Sequence, residues 1–327
     1  MNENRSTGSA FIWGNERPFN DLSGYLKSRF GSRIQKLSID AGFTCPNRDG
    51  SKGKGGCTFC DNQSFNPAYC SPDQSVSQQL LKGMAFFTPK YPDNRYLAYF
   101  QAYTNTYGSL EMLKKLYGEA LAVPGIIGIV IGTRPDCITS ELLDYLEDLA
   151  NRVYVSVEYG MESTREETLI RINRGHSNSE SVKAIQATAC RGIHVGAHLI
   201  FGLPGETEQD IMGHALAINA LPLDMIKIHQ LQIIRGTAMA REFSSHPRDF
   251  LTFTPDSYID LVIRFLEILR PTIIVERFAS VAPPNLIVNK RWGLKNFELV
   301  SKIEKEMISR NTYQGRLYNP NPCHQCS

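Results

Sequence analysis

The stretch "IQKLSIDAGFTCPNRDGSKGKGGCTFC" spans residues 34–60 and joins an apolar strand to a loop with three cysteines. Its first part, residues 34–40, is short, apolar and rich in branched side chains, which is typical of a β-strand. The loop holds Cys45, Cys57 and Cys60 in the spacing C-x11-C-x2-C, and its many glycines disfavour a helix. The stretch therefore predicts three thiols placed directly after the carboxyl end of a strand.

The strand that opens this stretch is the first of six similar runs. They span residues 34–40, 95–103, 125–133, 152–160, 193–202 and 224–234. Segments with helical periodicity lie between them, at residues 75–87, 110–121, 140–150, 164–171, 179–191 and 207–219. This α/β alternation predicts a parallel sheet with right-handed crossovers, either a partial (β/α)6 TIM-like barrel or a doubly wound sheet. In a barrel, the cysteine loop would lie at the C-terminal mouth, where barrel enzymes build their active sites.

The two ends of the chain depart from this alternation. Residues 1–33 precede the first strand and are expected to form an N-terminal extension with one helix near 20–29. Residues 34–240 hold the six strand–helix units. Residues 241–327 are expected to form a C-terminal region packed on the barrel. There, "FTPDSYIDLVIRFLEIL" and "NFELVSKIEKEMI" predict helices, and "TIIVERF" is compatible with a further strand.

Composition narrows the possible classes of protein. The 327-residue chain carries 35 Lys and Arg against 33 Asp and Glu, a formal net charge of +2. This balance gives no overall signal for nucleic acid or a membrane surface, so any basic patch would be local. The chain has no run of about 18 apolar residues, and its polar start lacks the apolar segment of a secretory signal. We therefore expect a cytoplasmic location without membrane association, where disulfides are rare.

Three thiols at one strand end are consistent with a metal centre. Three thiolates bind three irons of a [4Fe–4S] cluster and leave the fourth iron free for a substrate or cofactor. Four thiolates would close the coordination shell instead, and Cys57 and Cys60 could form such a zinc site with the C-terminal pair Cys323 and Cys326. The zinc interpretation leaves Cys45 without a role.

Several motifs resemble the radical S-adenosylmethionine (SAM) superfamily over roughly residues 34–240. "IGTRPDCIT" (131–139), "VEYGMES" (157–163) and "INRGHS" (172–177) are similar to motifs of the Elongator catalytic subunit. "LIFGLPGET" (199–207) matches the strand and turn that lie along the SAM adenine in the superfamily. Oxygen-independent coproporphyrinogen oxidase is a further relative. The resemblance implies a partial barrel of the radical SAM type.

Nearly the whole chain is similar to the bacterial YhcC/YtqA-like family within that superfamily. The shared features are the long cysteine loop beginning "CPNRDG", the strand "YFQAYTNTY", and a C-terminal "RW…TYQG" pattern at Arg291-Trp292 and 312–315. This closer resemblance implies a radical SAM enzyme without indicating its substrate.

The resemblance also implies roles for individual residues. Cys45, Cys57 and Cys60 would ligate a [4Fe–4S] cluster, and SAM would bind the open iron. Arg174 would pair with the SAM carboxylate, and Glu162 stands where relatives have a glutamine. The residues expected to bind SAM are Gln101, Thr104, Glu162, Arg174, His198 and Gly202. Candidates for a catalytic role, because they lie at strand ends or in a strand-to-helix loop, are Tyr103, Arg134 and His176.

The expected activity is reductive cleavage of SAM to a 5′-deoxyadenosyl radical, with a reductant such as flavodoxin or ferredoxin as partner. Three hypotheses concern what the protein acts on. The Elongator-like motifs suggest modification of the tRNA wobble uridine, for which the basic and aromatic stretch 289–297 could contact RNA. The likeness to coproporphyrinogen oxidase suggests a small, tetrapyrrole-like metabolite. The third hypothesis is a non-catalytic zinc or iron–sulfur scaffold.

Overall fold

The computed structural model describes residues 10–61, 67–88, 95–279 and 282–320. Seven parallel strands form one sheet in the order in which they occur in the chain, and the sheet curls into a half-barrel with flanking helices. The strands are β1 (Ile34–Ile39), β2 (Arg95–Phe100), β3 (Ile126–Thr133), β4 (Tyr154–Glu162), β5 (His194–Phe201), β6 (Met225–Gln230) and β7 (Ile274–Arg277). The helices within these ranges are α1 (Leu22–Phe30), α2 (Val76–Phe87), α3 (Leu110–Leu121), α4 (Ser140–Ala150), α5 (Glu166–Arg171), α6 (Asn178–Ala189), α7 (Glu208–Asn219), α8 (Ala238–Ser245), α9 (Pro255–Ile268) and α10 (Asn296–Ser309).

The sequential strand order confirms the partial barrel and excludes the doubly wound alternative. All six predicted strands are present, and "TIIVERF" supplies the seventh, which pairs with β6. The sheet therefore continues past residue 240. Strand ends differ from the prediction: β2 ends at Phe100, so the stretch from Gln101 lies in a loop, whereas β4 continues to Glu162. Apolar composition does not mark these ends, because hydrogen bonding to the neighbouring strands decides them.

Side-chain caps explain where the outer helices begin. A Ser or Thr at the N-cap accepts a hydrogen bond from a backbone N–H of the first turn, which lacks an intrahelical partner. The capping residues are Ser75, Ser109, Thr139, Ser177, Thr207, Thr237 and Thr254. No helix within the described ranges has the length and hydrophobicity that a membrane span requires.

The N-terminal extension closes the amino end of the half-barrel. Asp21 caps α1, and Leu26 of α1 is buried in a cluster with Leu97, Val130 and Tyr154 from the strands. The chain just before α1 also pairs with the sheet edge, since the Val275 N–H donates to the carbonyl oxygen of residue 20 at 2.7 Å. The cluster fills the bottom of the interior and leaves the carboxyl ends of the strands for the site.

A layer of charged side chains lies above this apolar cluster. We call Lys36 (β1), Glu158 (β4), Lys227 (β6) and Glu276 (β7) the ionic floor. Lys36 Nζ lies 2.6 Å from Glu158 Oε1 and 2.6 Å from Glu276 Oε2. Lys227 Nζ lies 2.5 Å from Glu158 Oε2 and 3.1 Å from Glu276 Oε1. Since β1 and β7 are the two edges of the sheet, the Lys36–Glu276 pair bridges the open side of the half-barrel.

The lysines of the ionic floor keep the Glu158 carboxylate ionised. Burial alone would raise the pKa of Glu158, but Lys227 and Lys36 outweigh burial and hold that pKa well below its ordinary value. The Tyr99 hydroxyl, 2.9 Å from Lys227 Nζ, adds a neutral partner. A buried ion of this kind is tolerated only while its partners stay in place.

The Glu158→Gln substitution tests the ionic floor. It leaves two buried ammonium groups with one carboxylate, so we expect the free energy of unfolding to fall by about 3–5 kcal/mol at neutral pH. The pKa of Glu158 is lower in the folded protein than in the unfolded chain, so its ionised carboxylate contributes its full stabilisation at neutral pH. The substitution should therefore remove all of that contribution at this pH. Urea denaturation measures it.

The matched control is Asp144→Asn, which removes the solvent-exposed partner of Arg191. This change should cost less than about 1 kcal/mol. Equal losses in Glu158→Gln and Asp144→Asn would show that the floor does not contribute as described.

Candidate metal and cofactor site

The cysteine loop is fastened to the turn after α5. Asn47 Nδ2 donates to the carbonyl oxygens of Asn173 at 2.6 Å and Arg174 at 3.3 Å. In return, Asn173 Nδ2 donates to the Gly56 carbonyl at 2.8 Å, and the Thr58 N–H donates to residue 172 at 2.9 Å. These bonds join residues about 120 positions apart in sequence. They hold the cysteine-bearing loop and Arg174 in one rigid unit.

Arg174 is the cation that contacts the Cys57 sulfur. Its guanidinium donates to the Gly160 carbonyl at 2.6 Å and lies 3.3 Å from Cys57 Sγ and 3.4 Å from Glu162 Oε1. The side chain is nearly fully buried. Burial alone would lower the pKa of Arg174, but the charges of Cys57 and Glu162 outweigh burial and raise it. The guanidinium is therefore a permanent positive charge beside the thiols.

The end of β4 is shaped around this guanidinium. A Cβ on Gly160 would lie 2.5 Å from Glu162 Oε1 and 2.6 Å from Arg174 Nη2, so a side chain here would displace the Arg174–Glu162 pair. A bulge follows, and Glu162 takes a left-handed conformation with φ of 67°. The bulge turns the Glu162 carboxylate toward Arg174 at the strand end.

The predicted cluster and cofactor residues meet around one cavity of about 190 Å³, which we call the cysteine cavity. Of the residues predicted to bind metal or SAM, those that line it are Cys45, Cys57, Cys60, Gln101, Thr104, Glu162, Arg174 and His198. Thr104 is 1% exposed, and its hydroxyl has no hydrogen-bond partner among the described residues. A buried polar atom without a partner is costly, which fits a ligand that supplies one.

The donor chemistry of the cavity also fits a soft, iron-containing group. The six cysteines within the described residues are all free. Burial, followed by the neighbouring Cys57 sulfur, raises the pKa of Cys60 to about 11. Among the described residues, no three His, Cys, Asp or Glu side chains converge as they would around a single ion. Cys323 and Cys326, the alternative zinc ligands, lie outside the described residues.

Arg134 lines the cysteine cavity but is occupied by other groups. It donates to both carboxylate oxygens of Asp136, at 2.9 and 3.0 Å, and to the carbonyl oxygens of Arg174 at 2.8 Å and Gly175 at 3.1 Å. Burial would raise the pKa of Asp136, but its bonds to Arg134 and Lys52 lower it to about 2. The geometry thus gives Arg134 the position of a support for the turn that carries Arg174.

The other candidates lie at different distances from the cavity. Tyr103 lines it, with φ of 59° and the Arg48 guanidinium 5.9 Å from its ring centre. His176 is buried away from the cavity lining, and burial together with the charge of Arg174 lowers its pKa to about 3. Gly202 is also outside the lining, because it packs against Phe253.

The ionic floor is the part of the site that sequence analysis missed. Lys36, Glu158 and Lys227 are charged residues in the middle of otherwise apolar strands, and this was the available signal. Tyr99 and Glu158 line the cysteine cavity directly. His198 contacts the ionic floor, since its Nε2 atom lies 3.2 Å from Glu158 Oε2. Its predicted place at the cavity therefore depends on Glu158, which lies in the motif at 157–163 but to which the sequence assigned no role.

Comparison with known families agrees with this geometry. The profile described as Radical SAM superfamily matches residues 45–218, and the profile described as Radical_SAM C-terminal domain matches residues 223–309. The first match covers more than half of the chain, and the chain belongs to the radical SAM superfamily as an enzyme. Membership implies a [4Fe–4S] cluster and SAM as cofactors.

Individual relatives confirm the closer resemblance. YtqA of Bacillus subtilis is 35% identical over 303 residues, which cover 93% of this chain and 94% of that protein. YhcC of Escherichia coli is 37% identical over 227 residues, 69% of this chain and 72% of that protein. A solved structure of archaeal Methanocaldococcus infernus Elp3 superimposes with a TM-score of 0.65 at 17% identity, covering 86% of this chain and 64% of that one. The last match shows the shared fold.

The Asn47→Asp substitution tests the fastening of the cysteine loop. It keeps the shape of the side chain but replaces the amide donor with an acceptor that faces two carbonyl oxygens. We expect a loss of about 1–3 kcal/mol in the free energy of unfolding, from urea denaturation. Asn319→Asp, at an exposed position outside the helices and strands, is the control and should change stability by less than about 0.5 kcal/mol. An unchanged stability in Asn47→Asp would contradict the fastening role.

Proposed function

We propose that Cys45, Cys57 and Cys60 hold a [4Fe–4S] cluster whose fourth iron is open to SAM. The observation that carries the proposal is that Cys45, Cys57 and Cys60 line one cavity at the carboxyl ends of the strands, together with the buried Arg174 and with Thr104, whose hydroxyl has no partner among the described residues. When bound, the cluster and SAM supply reductive cleavage of the sulfonium to a 5′-deoxyadenosyl radical, which abstracts hydrogen from a C–H bond of the substrate.

Within this proposal, the chain's residues orient SAM. Arg174 pairs with the carboxylate of SAM, since its planar guanidinium matches a carboxylate. Glu162 and Thr104 offer acceptors to the amino group. Gln101 and His198 lie on the same cavity and contact the nucleoside part. Gly202 acts indirectly, because its lack of a side chain lets β5 end against Phe253.

The three catalytic candidates are assigned different roles according to their positions relative to the cysteine cavity. Tyr103 faces the cavity and is proposed to contact SAM or substrate. Arg134 and His176 are proposed to position the turn that carries Arg174, since Arg134 binds its carbonyl oxygens and His176 is buried beside it.

We also propose a redox partner, a cellular location and a division of the chain into regions. A one-electron reductant such as flavodoxin or ferredoxin would supply the electron. The cytoplasm suits free thiols, and we retain the division into an N-terminal extension (1–33), a barrel (34–240) and a C-terminal region (241–327).

Anaerobic reconstitution tests the proposed cofactors. Wild-type protein should bind about four iron atoms per chain and, with dithionite and SAM, produce 5′-deoxyadenosine. Cys45→Ala, Cys57→Ala and Cys60→Ala should lose the cluster and the product. Cys190→Ala, at an exposed position, and the double variant Cys323→Ala/Cys326→Ala should behave as wild type. A colourless protein with stoichiometric zinc, or iron that depends on Cys323 and Cys326, would contradict the proposal.

For the substrate, we propose the tRNA wobble uridine. Two kinds of relative support it: the tRNA uridine(34) acetyltransferase of Methanocaldococcus infernus, 27% identical over 61% of this chain, and Elongator complex protein 3 of Dictyostelium discoideum, 29% identical over 50%. These matches span only 36% and 29% of the two relatives.

A surface feature offers a place for RNA. A groove of about 700 Å³ is lined by Lys290, Arg291 and Lys295. The Trp292 indole is less available for stacking than the sequence suggested, because it donates to the Phe253 carbonyl at 2.9 Å and packs on Tyr258. The groove therefore offers contacts to phosphates more than to bases.

A small metabolite is the second candidate substrate. It is favoured by an inner cavity of about 510 Å³ that adjoins the cysteine cavity, a volume typical of small-molecule sites.

Salt-dependent binding of tRNA from a deletion strain discriminates between the two substrates. If RNA is the substrate, tRNA should bind more weakly to the triple variant Lys290→Gln/Arg291→Gln/Lys295→Gln. The negative slope of log K against log salt should become less steep, by about 0.7–0.9 for each lost phosphate contact. Lys183→Gln, exposed on α6, should leave the slope unchanged. Binding that is absent, or that the triple variant does not change, would favour the metabolite.

A further inference from the structure

The inner cavity of about 510 Å³, which we call the chamber, continues the cysteine cavity into the half-barrel. The two cavities share a wall formed by Phe59, Cys60, Tyr99, Gln101, Glu162 and His198. A group held in the chamber would therefore lie beside the proposed site of radical formation.

Most charged groups of the chamber are already paired. Lys227 is bound by Glu158 and Glu276 of the ionic floor. Glu162 is bound by Arg174, and Asp61 also has a partner. Arg277, on β7, differs from them: within the described residues its guanidinium makes no hydrogen bond and no ion pair, although it lines the chamber and is half-buried. A guanidinium withdrawn from water gains most from a bidentate anionic partner.

A second polar side chain beside the same chamber has an atom without a partner among the described residues. His229, on β6, lines the chamber, and its Nε2 atom is buried without a hydrogen-bond partner among the described residues. Burial, followed by the charge of Arg277, holds the pKa of His229 well below its ordinary value. The imidazole is therefore neutral, and in one tautomer Nε2 donates a hydrogen bond. Its ring lies on that of His198, with centres 5.8 Å apart.

Arg277 also lies where the chamber meets a second cavity that opens to the outside. An outer cavity of about 970 Å³ opens between the two sheet edges, and Ser38, Pro67, Tyr99, Gln101, Arg277 and Asn296 line both it and the chamber. Lys82 and Arg33 line the outer cavity as well. The paired Lys36 and Glu276 line it too, and an anionic group that enters through the outer cavity would reach Arg277 at the junction with the chamber.

We infer that Arg277 and His229 form a binding site for an oxyanion, a phosphate or carboxylate group of the substrate, at the junction of the chamber and the outer cavity. This site rests on the proposed function, because it assigns the chamber to the substrate of the radical reaction. It requires the substrate to carry a negative charge at one end and to present its reacting carbon toward the cysteine cavity.

The test uses reconstituted protein saturated with SAM, without reductant, so that Arg174 is occupied. Titration with inorganic phosphate and with acetate, followed by 31P and 13C NMR of the anions, should show saturable binding in the millimolar range. Arg277→Gln should weaken it by about tenfold or more. Arg277→Lys, which keeps the charge but not the planar fork, should fall between them. Stronger phosphate binding would indicate a phosphorylated substrate, and stronger acetate binding a carboxylate.

The control is Arg248→Gln, which removes an exposed arginine remote from the chamber lining and should bind both anions as wild type does. Equal affinities in wild type and Arg277→Gln, or no saturable binding to wild type, would overturn the site. The proposed function fails separately: wild-type protein that binds anions through Arg277 but never cleaves SAM would refute the radical chemistry and leave the oxyanion site standing.

Discussion

The pairing of the buried Glu158 carboxylate with two lysines is the interaction on which the interior depends. A half-barrel has two edges that no backbone ladder joins, and Lys36 crosses that gap to reach both Glu158 and Glu276. The same carboxylate orients His198. The ionic floor thus separates the apolar bottom of the barrel from a polar upper half.

Above the floor, the site is built from segments distant in sequence that are fastened to one another by backbone carbonyl groups. Asn47, Arg134 and Arg174 each donate to carbonyl oxygens of another segment. Each is buried, so each bond is shielded from water. Rigid placement of this kind suits a reactive intermediate, because the protein's task is orientation and the exclusion of stray donors.

The sequence predicted the fold well because strand and helix periodicities are local. The six strands, the parallel arrangement and the cysteine loop at a strand end follow from residues 34–240 alone. The choice between a barrel and a doubly wound sheet depends on strand order, which no local pattern contains. The ionic floor escaped prediction for a similar reason: a lysine in a strand shows its role only when a glutamate from another strand stands opposite. The strand-end position of Arg134 made it a catalytic candidate, and it lines the cysteine cavity, but only the structure shows that Asp136 and two carbonyl oxygens occupy its guanidinium.

The central claim is that three protein thiolates leave one iron of the cluster open to SAM. Mössbauer spectroscopy of 57Fe-reconstituted protein tests it most directly, because it resolves the irons by their ligands. SAM should change the signal of about one iron in four and leave the other three unchanged. A spectrum in which all four irons are equivalent and indifferent to SAM would contradict it.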